Sequence, residues 1–394
     1  MGQQTPERLP TGVKALGIVS LLMDASSELI HSLLPLFMAS VLGASMITIG
    51  VVEGIAEATA STTRMFSGWA SDRFRRRKGL LLLGYGIAAL SKPLVPLADS
   101  ITWVLAARFI DRTGKGIRGA PRDALIADIT PAALRGAAYG LRQGLDSLGA
   151  VLGPLLAIGF MVWFAGDIRS VLWIAVIPAA GAVLWLFFGV REAEPGRSGV
   201  RLRLALSDFR LLGSAYWKVA LLCAAITLAR FSEAFLLLRA DSVGMTAGLV
   251  PAVMILMNIA YALGAYPAGR ASDRLRSRTI ILAGLLVLAV ADLLLALASS
   301  PETVMAGAVF WGLHLALTQG FLSKLIADAT PESVRGSGFG ISGLLNGAAL
   351  FAASLIAGML WEQAGPAAPF ATGGALAILA SVGVLTLTGR STRT

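Results

Sequence analysis

A single cysteine, Cys223, stands in 394 residues, which excludes a disulfide scaffold and any multi-cysteine metal or redox site. Charge is scarce as well. Asp, Glu, Lys and Arg make up 14% of the chain, against roughly 25% in a soluble domain. Hydrophobic residues make up 56% and the mean hydropathy is +0.75, so too little polar surface is left to coat a water-soluble globule of this size. Acid is scarcer than base, 23 residues against 33, for a net charge of +10. A nucleic-acid binder would gather that charge on one face of a soluble domain, whereas here Lys and Arg fall in short clusters between apolar runs. No G-x-x-x-x-G-K-[ST] loop is present, so nothing points to ATP as the energy source. No nucleophile and base are recognisable in the apolar runs, and an enzyme is not expected.

What remains is an integral membrane protein. Apolar stretches of about 20 residues, enough to cross roughly 30 Å of hydrocarbon at 1.5 Å per residue, recur along the whole chain. They predict twelve spans, over residues 14–42, 46–67, 79–97, 101–121, 136–164, 168–190, 217–238, 247–268, 279–298, 302–325, 335–362 and 367–389. The basic clusters Arg73 to Lys78, Arg191 to Arg210 and Arg270 to Arg278 all fall on one side of such a model. The opposite loops are short and nearly free of Lys and Arg, apart from Arg169 and Arg239. The positive-inside rule then places both termini in the cytoplasm of a multi-pass inner (plasma) membrane protein. The N-terminal sequence lacks a cleavable signal pattern, and the first span itself is expected to direct insertion.

The chain repeats itself. Leu125 to Leu141 and Leu325 to Ile341 share nine identities in seventeen positions at an offset of 200, and Gly68 with Ala70 to Arg73 matches Gly269 with Ala271 to Arg274 at an offset of 201. Two matches at nearly one offset mean two homologous halves of six spans. Residues 1–190 and 217–394 are expected to form the two bundles, with 191–216 a cytoplasmic linker.

These residues resemble the major facilitator superfamily over nearly the whole chain. Its signature loop, G-x-x-x-D-R-x-G-R-R, stands here as Gly68, Asp72, Arg73, Arg76 and Arg77, with Arg75 in place of the second glycine. The R-x-x-Q-G element of the fourth helix is similar to Arg112 to Gly116, with Lys115 where the family usually has Gln. The fifth-helix pattern G-x-x-x-G-P of its exporters resembles Gly149, Gly153 and Pro154. The resemblance implies an all-α fold of twelve transmembrane helices in two pseudo-symmetric six-helix bundles. It also implies that the loop charges Asp72, Arg73, Asp273 and Arg274, together with Asp128, latch the bundles in the outward-facing state.

The repeat also sorts the charges: those present in both halves belong to the common scaffold, and those in one half need another reason. Asp24, Glu28 and His31 lie within roughly 60° on one face of the first helix, well inside its apolar run. Of these only Glu28 has an acidic counterpart, Glu233, when Ser232-Glu233 is aligned with Ser27-Glu28. The second helix adds Glu53 and Glu57 one turn apart. The fourth carries Arg108, Asp111, Arg112, Lys115, Arg118 and Arg122 within an arc of about 120°, where an offset of 200 gives Ala308, Trp311, Gly312, Leu315, Thr318 and Leu322. Ionisable groups at such depth are costly and face a protein interior or a water-filled cavity. The bland explanation is a buried ion pair between Asp24 or Glu28 and an arginine of the fourth helix. The functional one is proton binding by Glu28 and Asp24, with Arg112 as the cationic partner. Arg118 and Arg122, nearer the cytoplasmic end, are expected at a gate. His31, Glu53, Glu57, Arg108, Glu233, Asn258, Tyr261, Trp311, His314 and Asn346 are the candidate cavity lining. Counting Arg64, Lys92, Arg108, Arg112, Lys115, Arg118 and Arg142 against Asp24, Glu28, Glu53, Glu57, Asp111 and Asp146, the first bundle comes near neutrality without a ligand, which favours internal pairing over an anion site.

The function expected is a monomeric secondary transporter that exports a small solute by alternating access against protons, embedded in the lipid bilayer, without cofactor or nucleic acid. The alternatives are a divalent-metal exporter using Asp24, Glu28, His31, Glu53 and Glu57 as ligands, an organic-anion transporter using Arg108 and Arg112, and, more remotely, a transport-dead receptor.

Overall fold

The computed structural model describes residues 9–74, 77–131, 134–190, 192, 212–275, 277–331 and 334–388, without the side chains of 68–74, 270, 272–274, 277, 335–337, 383 and 385–388. Among the described residues the chain is helical throughout: α1 Thr11–Leu36, α2 Met46–Phe74, α3 Arg77–Ser91, α4 Ile101–Ile129, α5 Arg135–Trp163, α6 Ile168–Ile174 and α7 Val176–Gly189 in the first half. The second half has α8 Ser214–Leu228, α9 Ala234–Ser242, α10 Ala252–Arg274, α11 Ser277–Ala296, α12 Pro301–Ala329, α13 Arg335–Ala364 and α14 Ala368–Thr388. Six of these runs are apolar enough to cross a bilayer with no more than two charges in the crossing window, namely α5, α6 with α7, and segments of α10 to α13. The helices α1, α2 and α4 are absent from that set because of the charges they carry, and α3 because it is only 15 residues long.

Among the described residues a helix lies at each of the twelve expected spans, with two notable differences. The sixth is α6 and α7 joined at Ala175. The seventh is broken at 229–233 into α8 and α9. No Gly or Pro marks this break. Instead the Ser232 amide donates to Ser354 Oγ on α13 (3.1 Å) and the Ala234 amide to Ser232 Oγ (3.3 Å), so hydroxyls take donors that a continuous helix would use.

In the first half α1 packs on α5 and α7, and α4 on α2 and α3; in the second, α12 packs on α10 and α11, α11 on α14, and α8 on α13. The halves meet where α2 lies along α13, α5 along α10 and α1 against α9. The apolar core is divided unequally. One cluster runs through both halves at the end with short loops, from Leu33 and Phe37 through Met161 to Phe235, Val250 and Trp361. At the basic end each half closes its own cluster, around Leu16, Leu125 and Leu186 in one and Tyr216, Ile326 and Ile341 in the other. Hydrophobic burial thus joins the two halves in one cluster at the short-loop end, while nearer the basic end each half also has a cluster of its own and α2 still meets α13 at Met65 and Gly340.

Polar contacts reinforce the sealed end. Glu362, at the end of α13, accepts the Ile47 amide at the start of α2 across the seam (2.9 Å). Asp167 caps α6 by accepting the Arg169 amide (3.1 Å); the Ser170 hydroxyl, with this amide, holds its carboxyl below the usual carboxylate range.

Candidate functional site

Two glycines set the depth at which α1 presents its charges. A methyl at Gly149 of α5 would come within 2.7 Å of the Leu21 carbonyl and 3.1 Å of Asp24 Cβ. One at Gly153 would come within 2.6 Å of the Ala25 carbonyl and 2.9 Å of Glu28 Cβ. These bare Cα atoms let the two backbones touch beside Asp24 and Glu28. Gly153→Val is therefore expected to force α1 from α5 and cost about 2 kcal/mol or more. Thermal unfolding of the purified variant in detergent checks this, and an unchanged midpoint would show that the contact is dispensable.

From that platform the charges form a ladder across the first bundle. Glu28 Oε2 lies 3.3 Å from His31 Nδ1, and His31 Nε2 lies 3.7 Å from Glu53 Oε2. Arg108 in turn donates one guanidinium nitrogen to both Glu53 oxygens, at 2.9 and 2.7 Å. Four residues hence make a continuous chain from α1 through α2 to α4. Next along α4, Asp111 accepts from the Lys92 ammonium (2.8 Å), which also donates to Ser27 Oγ on α1 (2.9 Å). Arg112 faces Glu57 at 3.5 Å. Arg118 faces Asp24 at 3.6 Å and lies over the Tyr85 ring. Arg122 donates to Ser20 Oγ (2.8 Å) and faces Asp146, which Arg142 also holds (2.8 Å).

Several expectations change on this map. The partner of Arg112 is Glu57, not Asp24 or Glu28, because α4 passes closer to α2 at that turn. The Asp24 pair is instead made with Arg118. Arg118 and Arg122, expected at a gate, are buried inside the first bundle, 4% and 8% exposed, and their partners are all of the same half. Asp128 is bound to Arg77 (3.0 Å), tying α4 to the start of α3. The side chains of Asp72, Arg73, Asp273 and Arg274 lie outside the described residues.

Exposure separates what faces the cavity from what only supports it. Glu53 is 1% and Arg108 2% exposed, so neither lines open space. The Glu28 and Glu57 side chains retain 20% and 33%, and Lys115 is exposed with no ion pair among the described residues. In the second half Arg230, Glu233, Asn258, Tyr261 and Asn346 are half-buried. Asn258 donates across the seam to the Ala150 carbonyl (3.3 Å), and Asn346 lies 3.5 Å from the Thr227 hydroxyl. Trp311 and His314 leave the lining: Trp311 is fully buried against Phe231, and His314 Nδ1 bonds the Gly284 carbonyl of α11 (2.8 Å). A 3.6-residue period places both on a polar face, but α11 covers that face. Lys92, one of the cations in the charge balance of the first bundle, joins the end of α3 to α4 and α1. Its role as a bridge of α3, α4 and α1 has a sequence signal, a lone cation deep in a span opposite Asp111.

The model of the Major Facilitator Superfamily matches residues 16–238 and 219–394. An MFS-type transporter of Methanocaldococcus jannaschii is 31% identical over 387 residues, covering 96% of this chain and 95% of its own. A triacylglyceride transporter of Mycolicibacterium smegmatis is 32% identical over 147 residues, 35% of this chain and 26% of its own. Among solved structures, the nucleoside transporter NupG superposes with a TM-score of 0.77 at 15% identity over 95% of this chain and 98% of that one. The human organic anion transporter MFSD10 does so with 0.69 at 20% identity over 97% and 100%.

Proposed function

The chain belongs to the major facilitator superfamily, and on that premise we propose that it is a proton-coupled exporter of a small solute, working as a monomer by alternating access with both termini in the cytoplasm. The observation that carries the reading is the relay Glu28, His31, Glu53, Arg108. One end of it, Glu28, keeps its side chain 20% exposed, and the other, the Glu53–Arg108 pair, is buried. A carboxylate that alternates between cavity water and closed protein exchanges its proton with one side at a time, because desolvation penalises its charged form in the closed state only. The imidazole between Glu28 and Glu53 passes the change of charge from the cavity wall on α1 to the pair that holds α2 to α4. Gly149 and Gly153, which resemble the exporter element, bring α5 onto α1 at these residues and so link the protonation state to helix packing.

The remaining lining suits solute contact: Glu57 and Lys115 on the first bundle, Arg230, Glu233, Asn258 and Tyr261 on the second. Arg108 is paired with the buried Glu53 and Arg112 faces Glu57, which speaks against these two as the anion clamp of an organic-anion carrier. A metal exporter is less well supported, since arginines occupy the carboxylates it needs and no three His, Cys, Asp or Glu side chains converge as ligands among the described residues.

The test begins with thermal shift of the purified protein against lipophilic cations, organic anions and metals. Solutes that stabilise it are then added to proteoliposomes loaded with a pH-sensitive dye. Solute entry is expected to release lumenal protons. Solute flux with no proton counterflux would remove the coupling from the proposal.

A further inference from the structure

The two halves treat one equivalent position in opposite ways. In the first, Lys92 places its ammonium between Asp111 Oδ1 and Ser27 Oγ. The offset of 200 carries Lys92 to Asp292 on α11 and Asp111 to Trp311 on α12, and the Ser27-Glu28 alignment carries Ser27 to Ser232 in the break between α8 and α9. The site is thus repeated with its charge reversed and without a built-in cation. Asp292 is 0% exposed. Neither of its carboxylate oxygens has a hydrogen-bond partner, nor does Trp311 Nε1, and no ion pair reaches it among the described residues.

The neighbours of Asp292 sharpen the requirement. A methyl placed on Gly373 of α14 would lie 2.7 Å from Asp292 Oδ2, 3.2 Å from the Ala229 carbonyl oxygen and 3.3 Å from the Phe231 ring. Asp292 Oδ2 and the Ala229 carbonyl oxygen thus both press on the bare face of Gly373, a crowded contact with no room for a metal ion and no hydrogen-bond donor in it among the described residues. Ala229 caps α8 where the helix is interrupted, so its carbonyl belongs to the negative end of that helix dipole. Carboxylate and helix end repel each other in apolar surroundings, where charge is expensive. Other elements do little to offset this. The break carries Arg230 and Glu233, of opposite sign; α12 carries His314, committed to the Gly284 carbonyl; and α14 meets Asp292 through Gly373 and Gly374. Broken helices whose freed carbonyls and C-terminal ends face a carboxylate suit small cations. The lack of a third acidic or imidazole ligand among the described residues points to a single positive charge.

We propose that Asp292, buried against the Ala229 carbonyl at the face of Gly373, is a proton-binding site of the second bundle. It lies in the other bundle from the Glu28 relay and does not depend on it.

The test measures unfolding midpoints of the full-length protein in NaCl and in choline chloride at equal ionic strength, from about pH 5 to about pH 8. The proteins are the wild type, Asp292→Asn and Gly373→Ala. Stability is expected to rise towards acid whichever salt is present, by more in the wild type than in Asp292→Asn. A gain with NaCl at fixed pH that Asp292→Asn loses would make the ligand Na+ and overturn the proton assignment. Gly373→Ala, whose methyl would stand 2.7 Å from Asp292 Oδ2 and push the carboxylate away from the Ala229 carbonyl, needs about tenfold more protons, one unit on the pH axis. Should Asp292→Asn fail to fold, Gly373→Ala decides, since it keeps the carboxylate. Identical responses of the wild type and the folded variants to both cations would overturn the proposal.

Discussion

Replacing Arg108 by Met is expected to lower stability by about 3 to 5 kcal/mol near neutral pH, more than removal of any other cation of α4. The substitution keeps the bulk of the stem and deletes the group that donates to both oxygens of Glu53. Glu53 is then left 1% exposed, with His31 at 3.7 Å and the more distant Arg112 to balance its charge. The intact pair itself need add little, because two charges taken out of water give up solvation that their mutual attraction barely restores. The penalty arises from breaking it on one side. Two further results should follow. Acid should recover part of the loss, since a protonated Glu53 no longer needs the cation, and Arg108→Met combined with Glu53→Gln should recover most of it at any pH. Arg112→Met is the internal comparison. Its partner Glu57 is 33% exposed and 3.5 Å away, so water takes over part of the screening and the loss should be closer to that of a surface pair, about 1 kcal/mol or less. Unfolding midpoints across pH give all four quantities. Equal losses for the two arginines, or a loss at Arg108 that does not respond to acid, would mean that the cost is one of packing and not of an abandoned charge.

This ranking could not have been drawn from the chain alone, and the reason is instructive. Span count, the twofold repeat and the one-sided charges of the first half follow from periodicities and offsets that every residue helps to define. Pairing is different. Arg108, Arg112, Arg118 and Arg122 share one face of α4, and so do Asp24 and Glu28 on α1 and Glu53 and Glu57 on α2. Sequence therefore gives three facing rows without their register. Helix crossing sets the register, and it assigned Glu57 to Arg112 and Asp24 to Arg118. The near-neutral charge count was sounder than any single pair within it, because it does not depend on who meets whom.

The second half shows a different limit. The break at 229–233 depends on Ser354, more than a hundred residues away, whose hydroxyl takes the Ser232 amide; local propensity carries no trace of it. Trp311 and His314 look like lining residues until α11 and the Phe231 ring are packed over them. Asp292 was legible in principle, as the acid that answers Lys92 across the repeat. It is passed over when charges are sought only where the first half concentrates them.

The relay leads to the other large effect: Glu28→Gln should reduce proton-driven accumulation at least about a hundredfold, the scale on which a positioned proton-transferring group acts, while leaving solute exchange and stability nearly as they were. Gln keeps the length and planarity of Glu and still reaches His31 Nδ1, so the contact is conserved and only the capacity to change charge is lost. Exchange needs the bundles to rock with solute bound and no net proton movement, which a permanently neutral residue permits. Uphill transport needs the loaded and unloaded proton states to favour different cavity openings, which it forbids. His31→Gln separates relay from ligand. If His31 passes the charge of Glu28 on to Glu53 and Arg108, both variants lose coupling and keep exchange. If His31 binds the solute, its variant loses exchange as well. Measuring counterflow and gradient-driven uptake side by side in the same vesicles makes the distinction, and full uphill uptake by Glu28→Gln would place the coupling proton elsewhere. The Asp292 site would then become the first place to look, since it is buried, unpaired and set against the break between α8 and α9.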